Sequence, residues 1–298
     1  EPEDITLNKK SIKFKIKDGI WKNKYLWELY KKAHTPYSWH NEAFRIAKKN
    51  NKILFSSPFS LRAVDFLEKF NVPLYKIASF EIVDIPLIEC AARTGKPLII
   101  STGMADEVEI EEAITAARSA GAIEICLLHC VSSYPAPAAE SNLKTISDLA
   151  KKFEVVSGLS DHTIGTTVAV AAVAMGAAVI EKHLTLQRSH GGPDASFSLE
   201  PPELAELCES ARTAWLSVGQ TRWGQTESEK KFQQFRRSLY VVKDIAAGMK
   251  FTKTNVRSIR PGFGMAPKYL PDVIGKSASR DLKRGEPLDW GMLEQGDG

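Results

Sequence analysis

The sequence predicts an α/β protein built on a (β/α)8 barrel of parallel strands, and three observations lead there. Short apolar runs alternate with helical stretches from residue 52 to residue 217, the rhythm of strands joined by crossover helices. The runs lack clean polar alternation, as strands covered on both faces should. Nearly every run ends in a polar cluster, whereas an open doubly wound sheet gathers its chemistry at one switch point. There is also no G-x-G-x-x-G, so the dinucleotide-binding form of the open sheet has no fingerprint.

Taken in order, residues 52–56 (KILFS), 74–78 (LYKIA), 97–101 (PLIIS), 123–129 (IEICLLH), 153–157 (FEVVS) and 178–182 (AVIEK) have strand length and composition. Helices are expected over 60–69, 84–94, 106–120, 142–151, 165–175 and 201–217. Ser60 and Asp106 are suited to N-cap two of them, and Pro201-Pro202 seats the first turn of the last. Six units fall two short of a closed barrel, so the first strands are expected before residue 1, where Glu1 stands instead of an initiator methionine. From 219 to 237 the chain is polar and charged and reads as a linker. Beyond it, SLYVV, KFT, VRSIR and KSASR are strand-like, and KDIAAGMKFTKTNV at 243–256 resembles RDLKRGEPLDWGML at 280–293. That repetition predicts a small pseudo-symmetric β domain with little stability of its own. The expected division is 1–218, 219–237 and 238–298.

Composition narrows the function classes. A chain of 298 residues with 43% hydrophobic and 26% charged residues fits a globular protein and excludes disordered and fibrous classes. Its 40 basic and 36 acidic residues leave +4, too weak and too dispersed to argue for nucleic acid. Cys90, Cys126, Cys130 and Cys208 form no C-x-x-C motif, which favours a reducing compartment. No apolar stretch reaches 18 residues and no signal peptide opens the chain, so no membrane partner and a cytoplasmic location are expected.

The chemistry concentrates in GLSDHT at 158–163 and EKHLT at 181–185. One small-residue helix separates them, so His162 and His183 should project from the same ends of neighbouring strands. A lone histidine at a strand end is more often a structural hydrogen-bonder; two together suit a divalent cation with positions left for water and substrate oxygen. Glu181 lies two residues before His183, on the same face of a strand. Asp161 can orient the His162 imidazole or close a turn. Lys76, inside a strand, is costly unless its ammonium meets an anion or reaches the rim. Ser57, Ser79, Ser101 and Ser160 sit at or near strand ends and can donate to phosphate oxygens. Asp194 in GGPD reads locally as part of a turn, and Arg260 in SIRPGFG as a solvated arginine.

YKIASFE, STGM, HC…YP, GLSDHT, EKHLTL, GGPD…SLEP and VRSIRPGFG span most of 52–298 in order. With them the chain resembles the sialic acid synthase family, enzymes that condense phosphoenolpyruvate with an N-acylated amino sugar to a nine-carbon 2-keto acid. IKDGIW at 16–21, TPYSWH at 35–40, SSPF at 56–59, SFE at 79–81 and RSLYVVKDI at 237–245 resemble the pseudaminic branch of that family more than the N-acetylneuraminate branch. The expected sugar is therefore 2,4-diacetamido-2,4,6-trideoxy-L-altrose, with N-acetylmannosamine as the alternative.

The resemblance implies a TIM barrel followed by an antifreeze-like SAF (β-clip) domain, in a homodimer whose small domain covers the partner's active site. It implies a divalent metal ion on His162 and His183, manganese first and magnesium or cobalt as substitutes. Glu181 and the two histidines are the implied catalytic residues. Lys76, Ser57, Ser79, Ser101 and Ser160 match residues that contact phosphoenolpyruvate, Glu81 a residue near the reacting centre, and Asp194 the substrate shell. Ser132 and Tyr134 fall on the sugar side, and Arg260 reaches toward the sugar's N-acyl group from the other subunit. A non-enzymatic alternative takes the C-terminal module as a carbohydrate- or ice-binding domain on an inert barrel.

Overall fold

Five parallel strands in chain order form the sheet at the centre of the first part of the molecule: β1 (Tyr75–Ile77), β2 (Leu98–Ser101), β3 (Ile125–Cys130), β4 (Val156–Asp161) and β5 (Val179–Lys182). They belong to a computed structural model that describes residues 1–294. The chain divides into two units, Glu1–Gly219 and a second that begins at Gln220. In the first unit α1 (Leu26–Ala33) and α2 (His40–Lys49) precede the sheet. Helix α3 (Leu61–Glu68) also comes before β1, the four crossovers are α4 (Ile85–Ala92), α5 (Glu107–Ser119), α6 (Lys144–Phe153) and α7 (Thr167–Ala174), and α8 (Pro201–Val218) closes the unit. Ser60 and Asp106 cap α3 and α5 through their side chains, and Pro201 and Pro202 open α8.

Two expectations are corrected. Residues 52–56 form no ladder among the described residues, and Ile53 is 77% exposed. An apolar run signals burial, but a strand needs a paired neighbour for its backbone groups, and this run has none. The sheet is accordingly open among the described residues, with five strands and no pairing of β5 to β1. The second correction concerns 153–157. Helix α6 runs to Phe153 and ends on Glu154 in the left-handed region at φ 53°, which delays β4 to Val156. GLSD therefore lies on the strand rather than after it.

Register sorts the side chains. Lys76 pairs with Ile99, Ser101 with Leu128, Cys130 with Ser160 and Ser160 with Glu181. Successive strand residues alternate faces. Lys76, Ser101, Cys130, Ser160 and Glu181 thus share one face, which His162 and His183 extend. The other face carries Tyr75, Ile77, Leu98, Ile100 and Leu127, all fully buried in a cluster with Val64, Leu67, Leu87, Ile88, Ala113 and Ile114 of the helices. Leu159 and Ile180 continue it against Ile146 and Ala172. Gly158 lets β5 approach β4, since a Cβ there would lie 2.2 Å from the Val179 carbonyl oxygen.

The second unit has its own core of Leu239, Val241, Phe251, Val256, Val273, Leu282 and Leu288. Strands β6 (Ser238–Val241) and β7 (Val256–Ile259) pair antiparallel. The two similar phrases fold reciprocally. The Ala247 N–H donates to Asp281 Oδ1 and the Arg284 N–H to Asp244 Oδ1, each at 2.8 Å. Ile245 and Leu282 exchange backbone hydrogen bonds of 2.9 and 2.8 Å. Each aspartate thus closes the turn of the other phrase. Within 219–237 the chain forms a one-turn helix, α9 (Glu227–Lys230). Among the described residues no helix is long and apolar enough to cross a membrane.

Candidate active site

The polar face of the sheet gathers its chemistry at the C-terminal strand ends. Lys76, on β1, is 5% exposed. Its Nζ donates to Ser101 Oγ at 2.8 Å and to the Ile77 carbonyl at 2.9 Å, and lies 3.6 Å from Glu181 Oε2. Burial holds the ammonium below its ordinary pKa, with Glu181 pulling the other way. Ser160 donates to Glu181 Oε1 at 2.6 Å, so this carboxylate sits between a hydroxyl donor and a cation. A buried ammonium with one charged partner and free donor capacity is suited to an anionic ligand.

Next to it, the loops after β1, β2 and β3 meet. Ser132 Oγ donates to Ser79 Oγ at 2.8 Å. Gly103, at φ +55°, makes room: a Cβ there would lie 2.6 Å from Ser79 Cβ and 2.8 Å from Ser132 Oγ. Burial raises the Glu81 carboxyl above its ordinary pKa, against a backbone hydrogen bond and the Lys76 charge, and its Oε2 is buried without a hydrogen-bond partner. An unpartnered buried carboxylate oxygen is expensive and marks a group awaiting a ligand or a proton.

The histidines come together as expected. The rings of His162 and His183 have centroids 5.3 Å apart at 64°. His162 Nδ1 lies 2.9 Å from the Val131 carbonyl; a carbonyl only accepts, so that bond puts the proton on Nδ1 and leaves the Nε2 lone pair free. His183 Nδ1 lies 3.4 Å from Asp194 Oδ2, which favours the same tautomer. The pair can supply two nitrogen ligands. Among the described residues no group of three or more His, Cys, Asp or Glu side chains forms a fuller set.

Tyr134 packs 4.4 Å from His162, and Phe197 4.9 Å from His183, between ring centroids. Burial pushes the Tyr134 hydroxyl up to about 12, so it stays protonated as a donor. Cys130 is buried, with its Sγ 3.9 Å from His162 Nδ1 and 3.8 Å from Ser132 Oγ. Its burial opposes ionisation, but these contacts outweigh it and hold the thiol below its ordinary pKa.

Asp161 takes the second of its two readings. Its Oδ2 accepts from Lys182 Nζ at 3.0 Å and its Oδ1 from the Thr163 N–H at 2.9 Å. It closes a turn and pairs a lysine, and the Val131 carbonyl orients the imidazole instead. Two further predicted residues lie on other parts of the chain. Ser57 lines a cavity of about 450 Å³ bounded by Asp4, Tyr30, His34, Tyr37 and Phe66, and Arg260 is an exposed residue just after β7 in the second unit. Sequence reasoning assigned no role at the site to Cys130, Phe197, Lys182 or Trp21. Cys130 was within reach, because it lies on the same strand face as Leu128 and pairs with Ser160. Trp21 carries no periodic signal.

A parallel sheet with helices packed on one face and acid, base and hydroxyl groups gathered at its C-terminal strand ends is the arrangement of an α/β enzyme that carries its site at those ends. The chain matches the NeuB family over residues 1–222 and the SAF domain over residues 236–294. It belongs to the NeuB family and is an enzyme of the synthase type. It is 42% identical to a pseudaminic acid synthase of Helicobacter pylori over 99% of this chain and 87% of that one. A pseudaminic acid synthase of Campylobacter jejuni is 41% identical over 98% of this chain and 85% of that one. Among solved structures, an N-acetylneuraminic acid synthetase of Leptospira borgpetersenii, crystallised with citrate, matches with a TM-score of 0.66 at 35% identity, over 70% of this chain and 72% of that one.

Proposed function

We propose that the protein condenses phosphoenolpyruvate with 2,4-diacetamido-2,4,6-trideoxy-L-altrose and water to give pseudaminic acid and phosphate, with cleavage of the C–O bond of the phosphoenol. The observation that carries this reading is the convergence, on one sheet face, of a buried lysine with hydroxyl groups and a pair of imidazoles whose Nε2 atoms are free. The sugar is chosen because relatives named pseudaminic acid synthases align with nearly all of the chain.

Lys76, with Ser101, Ser79 and Ser160, binds the phosphate and carboxylate of phosphoenolpyruvate. His162 and His183 would hold a divalent cation, manganese first, through Nε2, the Val131 carbonyl and Asp194 fixing their orientation. When bound, such an ion supplies Lewis-acid polarisation of the sugar's aldehyde oxygen. Tyr134 and Ser132 line the sugar side and orient the aldehyde carbon toward C3 of the enol. Glu181, tethered by Ser160 and adjacent to Lys76, is the carboxylate that moves the proton between water, the new hydroxyl and the leaving phosphate side. The reading includes a homodimer in which Arg260 serves the partner's sugar.

Supplying phosphoenolpyruvate with either the trideoxy sugar or N-acetylmannosamine, and measuring keto acid and released phosphate, tests the assignment. Turnover of the trideoxy sugar is expected. Turnover of N-acetylmannosamine alone would overturn it. For the metal, calorimetric titration with Mn2+ should show binding that His162→Ala and His183→Ala each abolish; a parent that binds no divalent ion would remove the metal from the mechanism.

A further inference from the structure

One flank of the histidine pair carries Lys76, Ser101, Ser160 and Glu181, and the other is aromatic. Tyr134 packs tilted against His162 and Phe197 edge-on against His183, and a third ring comes from far away in the chain. Residues 15–25 form a closed turn, with Lys15 bridging Tyr25 and the Ile16 and Asn23 N–H groups donating to the Lys24 and Ile16 carbonyls, each at 2.9 Å. This turn delivers Trp21, whose ring lies 5.2 Å from Tyr134 at 48°. The Trp21 Nε1–H donates to the Pro193 carbonyl at 2.8 Å, directly beside Asp194, which contacts His183.

We infer that Trp21 is a specificity-determining residue: its indole walls the sugar side of the site and selects a sugar with a methyl group at C6 over one with a hydroxymethyl group. The inference rests on the sugar-condensing reading above and deepens it. Trp21 is half-buried, so part of its surface is left uncovered by protein. Its single donor is spent on Pro193, and an indole has no other polar atom to offer. A hydroxymethyl group pressed against this wall would lose its water contacts without replacement. A methyl group loses none and packs on the ring face. Discrimination of a hydrocarbon pocket by one such group is typically about tenfold or more.

The decisive measurement compares the diacetamido trideoxy sugar with its 6-hydroxy analogue, by KM and kcat with phosphoenolpyruvate and Mn2+ present, in the parent, Trp21→Ala and Trp21→Phe. Melting curves confirm that the variants fold. The parent is expected to prefer the trideoxy sugar. Trp21→Ala should lower that preference about tenfold, mainly through KM for the trideoxy sugar, and Trp21→Phe should restore most of it, because a ring face is kept while the hydrogen bond to Pro193 is lost. If Trp21→Ala keeps the parent's preference, the wall is not the selector. If Trp21→Phe falls as far as Trp21→Ala, Trp21 props the 193–194 loop and the inference fails. A parent that turns over neither sugar overturns the functional reading and this inference together, whereas a selective parent with indifferent variants overturns this inference alone.

Discussion

Strands β4 and β5 carry two acid-containing pairs one residue apart, and the pairs have opposite fates. Ser160 and Glu181 are register partners on the face away from the helices, where the Glu181 side chain is 38% exposed and shares Lys76. Asp161 and Lys182 are the next register partners, on the helix-covered face, with side chains 2% and 3% exposed. Similar chemical groups have become an accessible polar cluster on one face and a sealed clamp on the other. The difference is the face alone: alternation turns a shift of one residue into a change of environment. The clamp also sits immediately before His162 and His183 in both strands, so it sets the strand ends from which the imidazoles project.

The sharpest way to separate the two pairs begins with the exposed one. Glu181→Gln should lower kcat by roughly 10²–10⁴-fold if the carboxylate moves a proton, while the melting temperature stays close to the parent's. A large loss of stability would make Glu181 part of the scaffold instead. On the sealed side, Asp161→Ala should destabilise by about 3–5 kcal/mol, because it strands the Lys182 ammonium in the interior. Denaturant titration reads this, and the double variant Asp161→Ala, Lys182→Met should recover much of the loss. A single variant as stable as the parent would show that the clamp carries no weight.

Smaller effects probe the loops beside the site. Gly103→Ala should cost about 1–3 kcal/mol through crowding against Ser79 and Ser132, with added strain from the left-handed backbone. Activity should fall with it, since those two hydroxyls would part. Glu81 offers the mildest test. Its folded pKa stands above the ordinary value of 4.5 because of burial. Between 4.5 and that raised value the folded state binds more protons than the unfolded one, so its contribution to stability grows as pH falls through this window and is lost as pH rises. Glu81→Gln should flatten this component, seen as a smaller difference in melting temperature between acidic and neutral buffers. An unchanged difference would mean that Glu81 does not titrate as placed.

Much of the site was legible in the sequence. The spacing of GLSDHT and EKHLT anticipated two imidazoles at neighbouring strand ends, because one crossover helix between parallel strands leaves little choice of geometry. Lys76 stood out because a charge inside an apolar strand needs a reason. Asp161 remained open between two roles because the expected strand ended at residue 157, so strand alternation could not be applied to the Asp161–His162 pair, whereas β4 runs to Asp161. The strand at 52–56 was misread for a different reason: apolar composition reports the wish to be buried, while pairing depends on a neighbour far along the chain. Helix α6 overran its expected end and shifted β4, moving Ser160 and Asp161 onto the ladder.

Local periodicity and composition carried the crossover rhythm and the residue types at the strand ends, whereas the division into a helix-covered apolar face and a polar one emerged from strand register. Only the tertiary structure decided that Trp21 reaches Tyr134, that Val131 rather than Asp161 orients His162, and that Lys182 seals Asp161 while Lys76 meets Glu181. Trp21 also reaches the Pro193 carbonyl, 172 residues along the chain, and the free energy of such contacts depends on distances and burial that no local pattern encodes.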